Sequence, residues 1–161
     1  MWLNGIPRKV LVDDYLPVST RGGLLCSYSI LRNELWVSII EKAYMKVNGG
    51  YDFPGSNSGI DLYSLTGWIP EAHELKILNT KQLRSKRWNG MYNAFHKGDV
   101  LITVATGDVE NFGDSDKLKM CFENGGLIPR HAYSVLNIVE VLGKKLLQVK
   151  NPWSKKRWRG I

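Results

Sequence analysis

Long apolar runs are missing from this sequence: nothing approaches the roughly 20 residues a membrane span requires, so no bilayer crossing is expected. Met1 to Lys9 holds neither the apolar stretch of a secretory signal nor the composition of a transit peptide. Cysteine is scarce. Cys26 and Cys121 are the only two and make no metal-ligand spacing, which reads as a cytoplasmic chain with reduced thiols. His73 and His96 have no partner at metal spacing, and Gly49-Gly50 lacks the lysine and serine of a phosphate loop. Internal repeats and low-complexity tracts are absent. Acid is short relative to base, with 15 Asp and Glu against 22 Lys and Arg, a net charge of +7. The basic clusters Lys81–Arg87 and Lys155–Arg159 lie near tryptophans, a mixture that can bind phosphates and stack bases. No RNP, zinc-finger or helix-turn-helix signature accompanies them. They read as a solvated helix face and a tail, not as a nucleic-acid site.

What is present is a globular composition, 43% hydrophobic and 23% charged over 161 residues, enough for one domain or two small lobes. Pro7–Asp14 is β-branched and breaks at Leu16-Pro17, predicting a strand and a turn. Arg21-Gly22-Gly23 predicts a second turn, and Leu24–Tyr28 a short strand. The clearest helix spans Glu34–Asn48, with Leu35, Trp36, Ile39, Ile40, Ala43, Tyr44 and Val47 on one stripe. Asn33 suits its N-cap, Glu34 complements the positive end of its dipole, and Gly49 can stop it; the stripe marks it as a core helix. The glycine- and serine-rich Gly49–Gly59 reads as a connector, so the expected lobes are 1–58 and 59–161. A helical turn is expected at Ile60–Leu65. A second helix is expected at Lys81–Lys97, with Leu83, Trp88, Met91, Tyr92 and Phe95 inward and Gly90 weakening it. Strands follow at Asp99–Thr106, His131–Val139 and Lys144–Lys150. The long, glycine-containing Gly107–Pro129 reads as a loop. The class is α+β: the end of a helical lobe, then a β-rich antiparallel lobe.

The last two strands carry the chemistry. An odd loop near Glu140–Leu142 or Val139–Gly143 would set His131 directly opposite Asn151, on the face of Tyr133 and Val135. An even loop would put the pair on opposite faces. Imidazole is the base suited to a thiol near neutrality, and an amide oxygen can fix its ring and tautomer. Trp153 would cover that hydrogen bond. Taken alone, a His–Asn pair is more often a structural contact than a catalytic one.

The segments HAYSV (His131–Val135) and KNPW (Lys150–Trp153) resemble the histidine and asparagine blocks of calpain-type cysteine protease cores. VLVDDYLPV (Val10–Val18), ELWVSIIEKAYMKVNGGY (Glu34–Tyr51) and LTGW (Leu65–Trp68) look calpain-like in the same order. GGYDFPGSNS (Gly49–Ser58) most resembles the PalB-like branch, which includes the seventh calpain of vertebrates. The resemblance covers nearly the whole chain and implies a papain-like core. In it His131 would be the general base, Asn151 its orienting partner and Trp153 the tryptophan flanking the cleft. Gly107–Arg130 would correspond to a substrate-gating loop.

The same resemblance exposes a gap. Calpains place their nucleophilic cysteine early, in a glycine-flanked block, and no such block is found here. Papain-like enzymes put it roughly 130–150 residues before the histidine, and 130 residues precede His131. Cys26 reads as a strand residue and Cys121 as a loop residue, so neither is assigned as nucleophile. For calcium, Glu34 resembles a first-lobe ligand, although helix-dipole complementation is the plainer reading. In the second lobe Arg157 stands where an acidic ligand would be expected, which opposes a complete site. No cofactor is therefore assigned to this chain, and calcium is left to a full-length parent. The expected activity is peptide-bond hydrolysis by an intracellular endopeptidase, with this chain supplying the His/Asn half of a Cys-His-Asn triad and inactive alone. Expected partners are protein substrates, the remaining front of the protease core and regulatory domains. The alternative is a non-catalytic interaction module derived from a calpain.

Overall fold

The computed structural model describes residues 1–31, 33–108, 120–122, 124–153 and 157–159, with Lys76 described in its backbone alone. Helices and antiparallel strands make it an α+β chain, divided into two compact units, Met1–Ala72 and His73–Ile161.

The first unit opens with a hairpin that the sequence reading overlooked. β1 (Trp2–Leu3) pairs with β2 (Ile6–Pro7) around Asn4-Gly5, both at positive φ (51° and 76°). That is the primed turn Asn-Gly favours. The strand expected over Pro7–Asp14 is not formed beyond Pro7. Its polar groups are claimed by a helix instead of a neighbouring strand: Lys46 Nζ donates to the Leu11 carbonyl (2.7 Å) and Lys42 pairs with Asp13. The strand expected over Leu24–Tyr28 shrinks to one bridge, Val18↔Leu24, closing the Arg21-Gly22-Gly23 turn. There too a helix takes the chain's polar groups, since Ser38 Oγ donates to the Ser27 carbonyl (2.7 Å) and Glu41 accepts from the Ser27 N–H.

That helix is α1 (Trp36–Val47), starting later than the sequence suggests. Asn33 is not its cap: Leu35 holds the cap position without any side-chain bond, and Glu34 accepts from Ser29 Oγ. Nor is its stripe a buried core, because Trp36 is 60% and Ile40 41% exposed while only Ser38 is buried. α2 (Ser58–Thr66) is capped by Asn57, whose side chain accepts from the Gly59 N–H (2.9 Å). It ends at Gly67 (φ 77°), where a Cβ would stand 2.6 Å from the Trp2 ring; only glycine lets α2 approach β1 so closely. Asp61 of α2 accepts from Tyr44 of α1 and from Ser56 between them. The connector expected from Gly49–Gly59 thus runs within the first unit, and the two units divide between Ala72 and His73.

In the second unit α3 (Lys81–Lys97) forms over the expected residues, capped by Thr80 and ending at Gly98 in the left-handed conformation. A three-stranded antiparallel sheet follows, in the order β3 (Thr103–Ala105), β4 (Ala132–Val141), β5 (Lys144–Lys150). β3 is shorter than the strand expected over Asp99–Thr106. Among the described residues Tyr133, Val135 and Ile138 of β4 are the buried hydrophobic ones. α3 lies against β4, where His96 Nε2–H donates to the Ile138 carbonyl (2.9 Å). No described helix is long and apolar enough to cross a membrane.

The β4–β5 register corrects the expected one. The turn has two residues, Leu142-Gly143, both at positive φ (51° and 71°), so Val141 pairs with Lys144. Carried along the whole hairpin, that even turn would put His131 and Asn151 on opposite faces. A β-bulge between Val135 and Asn137 leaves Leu136 without a partner: Asn137 pairs with Gln148, but Val135 with Val149. The extra residue restores the shared face. Burial records the shift, since Tyr133 and Val135 alternate inward but the next buried residue is Ile138. Beyond the bulge, continuing the register brings Trp153 opposite His131, with Asn151 as the diagonal neighbour.

Candidate active site

Asn151 follows β5 immediately, and His131 precedes β4 immediately. Both are half-buried, and His131 Nε2 lies 2.8 Å from Asn151 Oδ1. The Trp153 backbone N–H also reaches Asn151 Oδ1, at 2.9 Å. That second contact settles the chemistry of the first. A backbone N–H can only donate, so the atom it meets is the amide oxygen. Nε2 must then carry a proton and donate it, which leaves the lone pair of the neutral ring on Nδ1. The arrangement is an imidazole with its tautomer set by a neighbouring acceptor.

Aromatic rings enclose the imidazole. The Trp153 ring centroid lies 4.5 Å from that of His131, and the Tyr133 ring stands edge-on at 5.0 Å. Trp153 is packed against the imidazole yet remains 53% exposed. Tyr133 is nearly buried, and its hydroxyl accepts from the Ile128 N–H (2.9 Å).

The chain entering His131 is fastened at several points. Arg130 takes the left-handed conformation (φ 48°), uncommon for a non-glycine residue. Its N–H donates to the Gly107 carbonyl (3.2 Å), and its guanidinium pairs with Asp108 across an exposed 3.2 Å contact. Thr106 Oγ1 meets the backbone of both Ile128 and His131. Sequence reading placed Thr106 at a strand end and gave it no role; a threonine before a glycine carries no signal of its partners. Much of the expected gating loop, 109–119 and residue 123, lies outside the described residues. Farther along, the Arg159 N–H donates to the Gly125 carbonyl (3.0 Å), tying the tail to this loop.

Glu34, in the first unit, has a carboxylate oxygen bound to Ser29 Oγ. Among the described residues no three His, Cys, Asp or Glu side chains group together. Cys26 and Cys121 are half-buried free thiols, one in each unit.

The family model described as calpain family cysteine protease matches residues 1–161. Calpain-7 of Homo sapiens is 54% identical over 158 residues, 98% of this chain and 18% of that protein. The calpain-like protease palB/RIM13 of Aspergillus oryzae is 42% identical over 156 residues, 95% of this chain and 17% of the relative. The calpain-like protease palB of Emericella nidulans is 39% identical over the same length. The chain therefore spans less than a fifth of these relatives. Matched along its whole length by the family and most of its length by such relatives, the chain belongs to the calpain family of cysteine proteases, on the branch of Calpain-7 and the fungal palB proteins.

Proposed function

We propose that this chain supplies the histidine–asparagine half of a Cys-His-Asn triad in an intracellular, cytoplasmic calpain-type endopeptidase. The nucleophilic thiol comes from a segment other than the two half-buried cysteines here. The observation that carries the reading is the doubly anchored amide oxygen of Asn151, which leaves the His131 lone pair on Nδ1. In the proposed reaction Nδ1 takes the thiol proton and the thiolate attacks the peptide carbonyl carbon. The C–N bond breaks, and the imidazolium gives its proton to the leaving amine. Water, deprotonated by the same nitrogen, then hydrolyses the thioester and the thiol is restored. Asn151 holds the ring throughout, and Trp153 shields the bond between them.

The test uses the endopeptidase as the cell makes it, with casein as substrate. His131→Ala is expected to lower turnover by about three orders of magnitude or more, with the protein still folded. Wild-type turnover in that variant would overturn the proposal. The 161-residue chain by itself is expected to leave casein intact. Cleavage by it that thiol alkylation blocks would instead make Cys26 or Cys121 the nucleophile.

A second reading rests on the exposed apolar side chains of the first unit, Trp36 among them at 60%. On that reading the chain is a non-catalytic module that binds a protein partner through this face. Its binding would survive His131→Ala and fail on Trp36→Ser.

A further inference from the structure

We infer that Thr106 is the positioning residue of the proposed base, its hydroxyl holding the backbone from which His131 projects. The inference rests on His131 acting as that base.

The β3–β4 register pairs Thr103 with Ser134, Val104 with Tyr133 and Ala105 with Ala132, which brings Thr106 opposite His131. In an antiparallel ladder such a pair exchanges two backbone hydrogen bonds. Only half of that exchange is made by the backbone here. The Thr106 N–H donates to the His131 carbonyl (3.0 Å), as the ladder demands. The His131 N–H goes instead to the Thr106 side chain, Oγ1 accepting at 3.0 Å. Arg130 explains the exchange: at φ 48° it turns the chain as it enters the strand. The hydroxyl takes the place of the missing carbonyl.

The same hydroxyl has one proton to give. Two carbonyls are within reach, Ile128 at 2.6 Å and His131 at 3.2 Å, and the nearer one takes it. Thr106 Oγ1 thus joins two points three residues apart across the left-handed Arg130. Tyr133 pins the other side of Ile128 through its hydroxyl, 2.9 Å from the Ile128 N–H. The turn before the base is held by two side-chain oxygens, Thr106 one residue past β3 and Tyr133 in β4.

Replacing the hydroxyl by a methyl group leaves the His131 N–H and the Ile128 carbonyl without these partners, at nearly constant side-chain volume. The ring's root is then free to tilt, and the 2.8 Å contact to Asn151 is what a tilt breaks first. A serine keeps the hydroxyl and should keep the contact. A residue that served only general stability would leave the ring's hydrogen bond intact in the folded fraction.

The experiment records the His131 Nε2–H proton by nitrogen-edited NMR on the full 161-residue chain at low temperature, for wild type, Thr106→Val and Thr106→Ser. The expected result is a slowly exchanging resonance in wild type and Thr106→Ser, and its loss in Thr106→Val while the amide spectrum stays dispersed. Persistence in folded Thr106→Val, or absence from wild type, overturns the inference. If Thr106→Val does not fold, the His131 backbone amide decides: protection from exchange in wild type and Thr106→Ser supports the clamp, and exchange at the unprotected rate overturns it. No catalysis is read in this experiment. An inactive protease with an intact Thr106 effect would therefore sink the proposed function without touching the clamp.

Discussion

The two units are held together by different physics. In the second, β4 is paired on both sides and contributes the buried Tyr133, Val135 and Ile138. In the first, the one buried side chain among the described residues larger than glycine is a polar one, Ser38 at 1% exposure. Its helix α1 is moored through side chains acting on irregular backbone, Ser38 to Ser27, Lys46 to Leu11 and Lys42 to Tyr15, and through Tyr44 to the Asp61 side chain of α2. An amphipathic stripe that should anchor such a helix stays partly in solvent. A sheet closes its own backbone account and can spend its side chains on a core, whereas a helix amid irregular chain must lend its side chains to that chain's carbonyls.

The sharpest way to break this contrast is to truncate matched isoleucines. Ile138→Ala, fully buried on β4, is expected to destabilise its unit by about 2–5 kcal/mol. Ile40→Ala on α1, 41% exposed, should cost under about 1 kcal/mol. Residue-resolved hydrogen exchange in urea reads each unit separately, and equal costs would mean that α1 is a core helix after all. A middle-sized effect is expected from Ser38→Ala, which strands the Ser27 carbonyl and should cost about 1–2 kcal/mol of first-unit stability. No change there would remove the polar-mooring account.

The smallest effect concerns pH. The Lys42 hydrogen bond holds the Asp13 carboxyl below its ordinary 3.8. A carboxylate depressed on folding contributes stability above its unfolded value and loses it as pH falls through the folded one. Acidification below about pH 3.8 should therefore loosen α1, and Lys42→Met should blunt that response. Because Asp13 is exposed, the change is small. Helical circular dichroism followed from pH 5 to pH 2 checks it, and an unchanged acid profile in the variant would show that the pair does not act.

Legibility in the sequence followed how local each cause is. α3 was readable because its apolar period lies wholly within the segment, although the reading named neither of its caps, Thr80 and Gly98. The class and the family blocks were equally plain. Pro7–Asp14 and Leu24–Tyr28 misled because β-branched residues make a strand only when a neighbour accepts their hydrogen bonds, and here lysine, serine and glutamate side chains took them. Asn33 offered a capping side chain that α1 does not use. The meeting of His131 and Asn151 was expected, but from an odd turn that does not exist. Thr106 left no trace, since its partners lie 22 and 25 residues away in the chain.

That unpaired Leu136 has a consequence for how this stretch can change length. His131 and Asn151 are separated by 20 positions that include a two-residue turn and one bulge. Losing or gaining a single residue in the hairpin puts the two on opposite faces, whereas gains or losses of two leave the pair on one side. A lineage could also lose the bulge and lengthen the turn by one, keeping the count while altering the shape. Between these two residues, then, odd and even length changes are different kinds of mutation: the first severs the pair, and the second only moves the tip of the hairpin.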